Sequence, residues 1–174
     1  EVLVPTLHPC HISLRDEKIV NELINRTRSS DLLPIIDADI GGVDTGQLEG
    51  GRSIAQMADE RNPHPDGFPM YEFTWRTVFL HSLVGRESGL ESNLFGIGER
   101  DALWQTSFPG LTPPQIREAL SEIKERAFYL RERDGRYFAS LEPSINKALG
   151  NIRRNLDKER IDELLAATAR KVVK

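Results

Sequence analysis

The chain has 174 residues, enough for one comfortable domain or a domain with a flanking segment, and it can bury a core without disulfide staples. A hydrophobic fraction of 39% and a charged fraction of 29% are ordinary for a soluble globular protein, and no apolar run approaches the roughly 20 residues that cross a bilayer. The net charge of −4 hides an asymmetry: residues 1–114 carry 9 Lys/Arg against 17 Asp/Glu, and residues 115–174 carry 14 against 10, so any polyanion contact is expected from the C-terminal third.

The single cysteine, Cys10, excludes an intrachain disulfide and fits a reducing compartment, so a cytoplasmic setting and no membrane partner are expected. The chain opens on Glu1 without a basic segment leading into an apolar one, and a piece excised from a longer protein is the expectation.

In chain order, Leu14 to Thr27 reads as an amphipathic helix, with Ser13 as N-cap, Asp16 and Glu17 in its first turn and Ile19, Val20, Leu23 and Ile24 at helical spacing. The apolar run Leu32 to Ile36, bounded by Asp31 and Asp37, reads as a short buried strand. From Gly41 to Pro69 glycines and prolines dominate, which predicts a long connection with at most a short helix over Ser53 to Glu60 and a boundary near residue 68.

From Thr74 the pattern turns helical, with Trp75, Val78, Phe79 and Leu83 on one face and a stop near Gly85. A second helix fits Glu99 to Thr106, with Leu103 and Trp104 inward. A third starts at the N-cap Thr112 with Pro113 in its first position, and buries Ile116, Ala119, Leu120 and Ile123.

Ala127 to Arg131 and Arg136 to Ser140 read as two strands joined by Asp134-Gly135, the pair favoured in a two-residue type I′ turn. That turn pairs Arg133 with Arg136 and Leu130 with Ala139, with Phe128, Leu130, Tyr137 and Leu141 on one surface and Tyr129, Arg131 and Phe138 on the other. Helix, helix, helix, hairpin is the order of a winged helix, a helix-turn-helix variant with a β-hairpin wing. Two further helical stretches, Ser144 to Asn155 and Lys158 to Val173, complete the chain. The expected fold class is therefore α+β, mainly α: an N-terminal α/β segment over 1–68, a winged-helix domain over 69–142 and a C-terminal helical extension over 143–174.

Four stretches, Ile35 to Gly42, Thr74 to Ser82, Gly98 to Pro109 and Glu118 through Tyr137-Phe138 to Asn146, span roughly residues 35–149. As a set they resemble the later part of a family of bacterial and archaeal AAA+-type ATPases often encoded beside DNA methyltransferases in phage-defence neighbourhoods. The resemblance implies a segment lying after the nucleotide-binding core, where a winged helix couples nucleotide state to nucleic acid or to a partner. The partner it implies is the ATPase core of the same parent chain, with ATP and Mg²⁺ belonging to that parent and no cofactor to this chain. It also implies a nucleotide-sensing role for Arg76, against which stands the plainer role of a solvated or ion-paired arginine. The sequence departs from an ATPase core in having no G-x-x-x-x-G-K-[ST] phosphate loop, so no catalytic residue is carried over and ATP hydrolysis by this chain is not expected.

Other sharp readings are weaker. Asp37, Asp39 and Asp44 evoke a Ca²⁺ or Mg²⁺ loop, but Gly41 and Leu48 stand where an EF-hand needs carboxylates. His8, Cys10 and His11 evoke zinc without finger spacing, and neither G-x-S-x-G nor H-E-x-x-H occurs, so no metal site and no catalytic residue is expected. For double-stranded DNA the candidates are Arg131, Arg133 and Arg136 on the wing and Lys147, Arg153 and Arg154 after it. The third helix mixes Arg117, Lys124 and Arg126 with Glu118, Glu122 and Glu125, which favours protein contacts within the parent ATPase over base readout. The rival reading is a stand-alone winged-helix DNA-binding regulator.

Overall fold

The computed structural model describes residues 6–44, 51–83, 95–147 and 149–150. Contacts divide the chain into two compact units, Glu1–Pro143 and Ser144–Lys174, so the junction expected near residue 68 falls inside the first. In the second unit residues 145–147 and 149–150 are helical; the rest of the two expected C-terminal helices, with Arg153 and Arg154, lies outside the described residues.

The first unit is mainly helical with a small antiparallel sheet. A 3-10 turn, Pro9–His11, precedes α1 (Glu17–Thr27). The cap of α1 is Asp16, whose carboxylate accepts from the Lys18 amide at 2.9 Å, and not Ser13; Leu14 is buried ahead of the helix. Arg28, at a left-handed φ of 52°, ends it.

The strand expected over Leu32 to Ile36 is instead part of a continuous helical stretch. A 3-10 turn (Ser30–Leu32) runs into α2 (Leu33–Ile35) and a π-helical turn (Ile36–Ile40). The five-residue run was too short to reveal its period: Leu32, Ile35, Ile36, Asp39 and Ile40 are all buried, at helical spacing that continues beyond Asp37. Pro34 near the start of α2 costs no internal hydrogen bond there. The short helix foreseen in the Gly/Pro-rich connection is α3 (Ile54–Arg61), started by a reciprocal Ser53/Gln56 capping box.

At the centre lies α4 (Met70–Leu83), one turn longer at its start than the sequence pattern implied. Ten of its fourteen residues are buried, so its polar side chains must find partners inside. Thr74, Thr77 and Ser82 donate to carbonyls four residues back, and the Ser82 hydroxyl also accepts from the Ala139 amide of the sheet at 2.8 Å. Pro69 has no capping side-chain oxygen, and the Asp59 carboxylate of α3 takes that role, accepting from the Tyr71 and Glu72 amides at 2.9 and 3.1 Å.

Beyond α4 come β1 (Ile97–Gly98), α5 (Glu99–Thr106), α6 (Pro113–Arg126), β2 (Leu130–Arg133) and β3 (Arg136–Ala139). The third helix and the hairpin agree with expectation down to register: Thr112 caps α6, Ile116, Ala119, Leu120 and Ile123 are buried, and Leu130 and Arg133 face Ala139 and Arg136. Leu141, expected on the buried surface, lies beyond β3 and is exposed. The hairpin gains a third strand, since β1 pairs with β3 and the order is β1-β3-β2. Close approach requires Gly96 there: a Cβ would collide with the Tyr137 carbonyl oxygen, and its φ is +71°.

Candidate interaction surface

The α5 helix turns Ala102, Leu103 and Thr106 inward, the last hydrogen-bonded to Thr77 of α4 at 3.0 Å. Successive helical residues are about 100° apart, so Leu103 and Trp104 cannot both centre on that face. Leu103 wins and Trp104 is 78% exposed, correcting its expected burial. Trp104 lines an open groove of about 670 Å³ with Leu103 and Pro113 and, at its rim, Glu99, Arg100, Asp101 and Arg117. Nearby, the His8 ring donates through Nδ1 to the Gln105 carbonyl at 2.9 Å, fixing the N-terminal stretch of chain at the end of α5.

Next to the groove, α6 shows Pro114, Glu118, Ser121 and Glu125 along the line opposite its buried residues. Its basic side chains are not on that line and are all ion-paired. Arg117 meets Glu99 at 2.7 Å, Lys124 meets Glu132 of β2, and Arg126 meets Glu122 at 3.0 Å; Glu122 is also shared with Arg61 of α3. The α6 helix thus presents two carboxylates, and none of its cations, at its outward centre.

The hairpin arginines occupy a different setting. Arg131 donates through Nη1 to the Phe128 and Leu130 carbonyls at 2.9 and 3.0 Å and through Nη2 to that of Glu142 at 2.8 Å. Arg136 donates through Nε to the Phe95 carbonyl and through Nη2 to that of Gly96, at 3.0 and 2.7 Å. Arg133 is exposed near the hairpin tip, 3.7 Å from Asp134. Lys147 is half-buried in the second unit.

Arg76 is enclosed. It is 5% exposed, pairs with Glu72 one turn back and donates through Nη1 to the Cys10 carbonyl at 2.6 Å. Arg15 binds the other oxygen of Glu72 at 2.9 Å, and burial pushes the Arg76 guanidinium below its usual range, against the pull of Glu72. Burial likewise pushes the Cys10 thiol up to about 11, which suits a packed side chain and not a thiolate ligand or nucleophile. Asp39 is fully buried and accepts from the Phe128 and Tyr129 amides at 2.9 and 2.8 Å, a role the sequence could not show because its partners are 89 and 90 positions away. Among the described residues no cluster of three or more His, Cys, Asp or Glu is arranged to hold a metal ion, and no helix is long and apolar enough to cross a membrane.

No family model, curated protein or solved structure matches the chain.

Proposed function

We propose that this chain is a non-catalytic, cytoplasmic winged-helix accessory module of an AAA+-type ATPase, docking through the α5–α6 groove onto the ATPase core of its parent protein. The winged-helix reading is supported by the order α4, β1, α5, α6, β2, β3 and by the pairing of β1 with the hairpin. The assembly reading is carried by Trp104, a large apolar side chain left in water beside Leu103 and Pro113 where an anchoring residue of an interface belongs. ATP and Mg²⁺ would be held by the parent's core, since this sequence has no phosphate loop.

In the full-length parent protein, Trp104→Ala is expected to release the module from the core, measured as faster limited proteolysis between the two, while altering the stability of the isolated chain by no more than about 0.5 kcal/mol. Of the two tryptophans of this chain Trp75 is fully buried, so a Trp75→Phe background in which any tryptophan of the core is also replaced leaves Trp104 as the sole emitter. Its fluorescence should shift to the blue in the assembled protein. Unchanged proteolysis and water-like emission would sink the docking reading. The stand-alone DNA-binding regulator is favoured if the natural protein has no ATPase core, although Glu118 and Glu125 stand against base readout by α6.

A further inference from the structure

Two histidines stand where residues 6–14 meet α4 and α5, and their hydrogen bonds differ in kind. His8 donates through Nδ1 to the Gln105 carbonyl at 2.9 Å and meets the Thr6 hydroxyl through Nε2 at 2.7 Å. A hydroxyl donates or accepts, so these contacts survive whether the His8 ring carries one proton or two. His11 has no such freedom. Its Nδ1 accepts from the His8 amide at 2.9 Å, which fixes a neutral ring with its proton on Nε2. That Nε2 is buried without an acceptor among the described residues. The His11 ring meets Phe73 of α4 edge to face at 5.7 Å, Phe108 at 5.2 Å and the His8 ring at 5.6 Å. The Arg76 guanidinium lies over the same Phe73 ring at 5.6 Å.

We propose that residues 6–14 form a strap latched onto α4 and α5 by the neutral His11 ring and released when that ring gains a proton at Nδ1. A proton there sets an N–H against the His8 N–H and turns the latching hydrogen bond into a repulsion. The new cation also finds no carboxylate to balance it among the groups packed around it. On α4 it faces Arg76, and Glu72 is already shared by Arg76 and Arg15. The α5 helix meets the strap through neutral Gln105, whose side chain binds His81 at 2.7 Å, while Glu99, Arg100 and Asp101 lie a turn or more earlier. Within the strap the other titratable groups are His8 and Cys10. Burial first, then the charges of His8 and Arg76, accordingly hold His11 below its usual 6.5. A group depressed in this way favours the latched strap fully above 6.5, and that contribution is lost as pH falls below it. Release withdraws the Cys10 carbonyl from Arg76 and the His8 ring from the end of α5. The inference goes beyond the docking reading and does not rest on Trp104.

Cys10, fully buried and the sole cysteine, reports the state of the strap. In the whole chain its labelling by a dipyridyl disulfide is compared at each pH with that of a cysteine peptide, so that the ionisation of an exposed thiol cancels. From about pH 7.5 to about pH 5.5, one unit below the usual histidine value, the relative rate should rise about three- to tenfold with far-UV dichroism unchanged. His11→Phe keeps an aromatic ring against Phe73 and Phe108 but cannot titrate, so its relative rate should not vary with pH. His8→Gln keeps a donor for the Gln105 carbonyl and should retain the rise. Nitrogen NMR of the unmutated chain at neutral pH should show His11 as the Nε2–H tautomer. The proposal is overturned by a rise below about threefold, or by one that persists in His11→Phe. It is also overturned if His8→Gln, still slow to label at neutral pH, loses the rise, or if His11 carries its proton on Nδ1. Loss of far-UV dichroism alongside the rise would mean unfolding of the whole unit and would overturn it too.

Discussion

Replacing Asp39 tests the most specific long-range contact in the fold. Its two carboxylate oxygens accept from the Phe128 and Tyr129 amides, just beyond the end of α6, and thereby tie the π-helical turn to the entrance of the hairpin. A hydrogen bond to a charged group contributes roughly 1.5–3 kcal/mol, so Asp39→Ala should cost about 3–5 kcal/mol. That is a fifth or more of the stability of a typical domain, and at about 2–4 °C per kcal/mol for a unit of this size it lowers Tm by roughly 6–20 °C. Asp39→Asn keeps one acceptor but turns an amide NH2 toward the other N–H, so an intermediate loss of about 2–3 kcal/mol is expected. Urea unfolding followed by far-UV dichroism measures both. A chelator should leave the unmutated chain unaffected, because these bonds and not a bound cation are what the substitution removes. An Asp39→Ala chain within about 0.5 kcal/mol of the parent would refute the clamp.

Two further outcomes follow from local geometry and charge. Gly135 has a φ of +71° and open space where a Cβ would stand, so Gly135→Val should cost only the backbone strain of a β-branched residue there, about 1–2 kcal/mol; an unchanged Tm would contradict the type I′ turn. Burial raises Asp59 from 3.8 to about 6, outweighing the Tyr71 and Glu72 amides that favour its charge and reinforced by the Glu72 carboxylate, with Arg15 opposing. The folded chain then binds the extra proton between those values, so this group's stabilisation is full below 3.8 and is lost as pH rises through about 6, by about 3 kcal/mol. Asp59→Asn should flatten that part of the stability–pH profile, and parallel profiles for the two chains would count against it.

How much was legible in the sequence depended on whether the determining partner was local. Thr112-Pro113 and Asp134-Gly135 carry their conformational preferences within a few residues, and α6 and the hairpin register followed. The start of α4 did not, because its first amides are satisfied by Asp59, which lies upstream on another helix. β1 is two residues long and exists through pairing with Tyr137 and Arg136, with Gly96 as its faint local mark. Hydrophobicity alone does not give the direction of Trp104: Ala102, Leu103 and Thr106 already complete an inward face, which leaves Trp104 outward. The sequence could not show the environments of the arginines it singled out, since carbonyl capture of Arg131 and Arg136 and enclosure of Arg76 are tertiary facts.

The covered surfaces narrow the choice of contact faces. The N-terminal part of the unit supplies the Asp59 cap of α4, the Asp39 clamp on the hairpin entrance and the Cys10 carbonyl that holds Arg76, so it braces the three-helix and sheet core. Trp104 and the outward line of α6 remain on one side, and the outer arginines remain on the sheet. Gly98 joins these regions, because it pairs with Arg136 in the sheet and is also the N-cap of α5. On the proposed readings, displacement of α5 by a protein docked at Trp104 would pull directly on the strand that positions Arg136. Docking at Trp104 would thus be felt at the hairpin through a few residues of backbone, and Trp104→Ala removes that contact without touching the link.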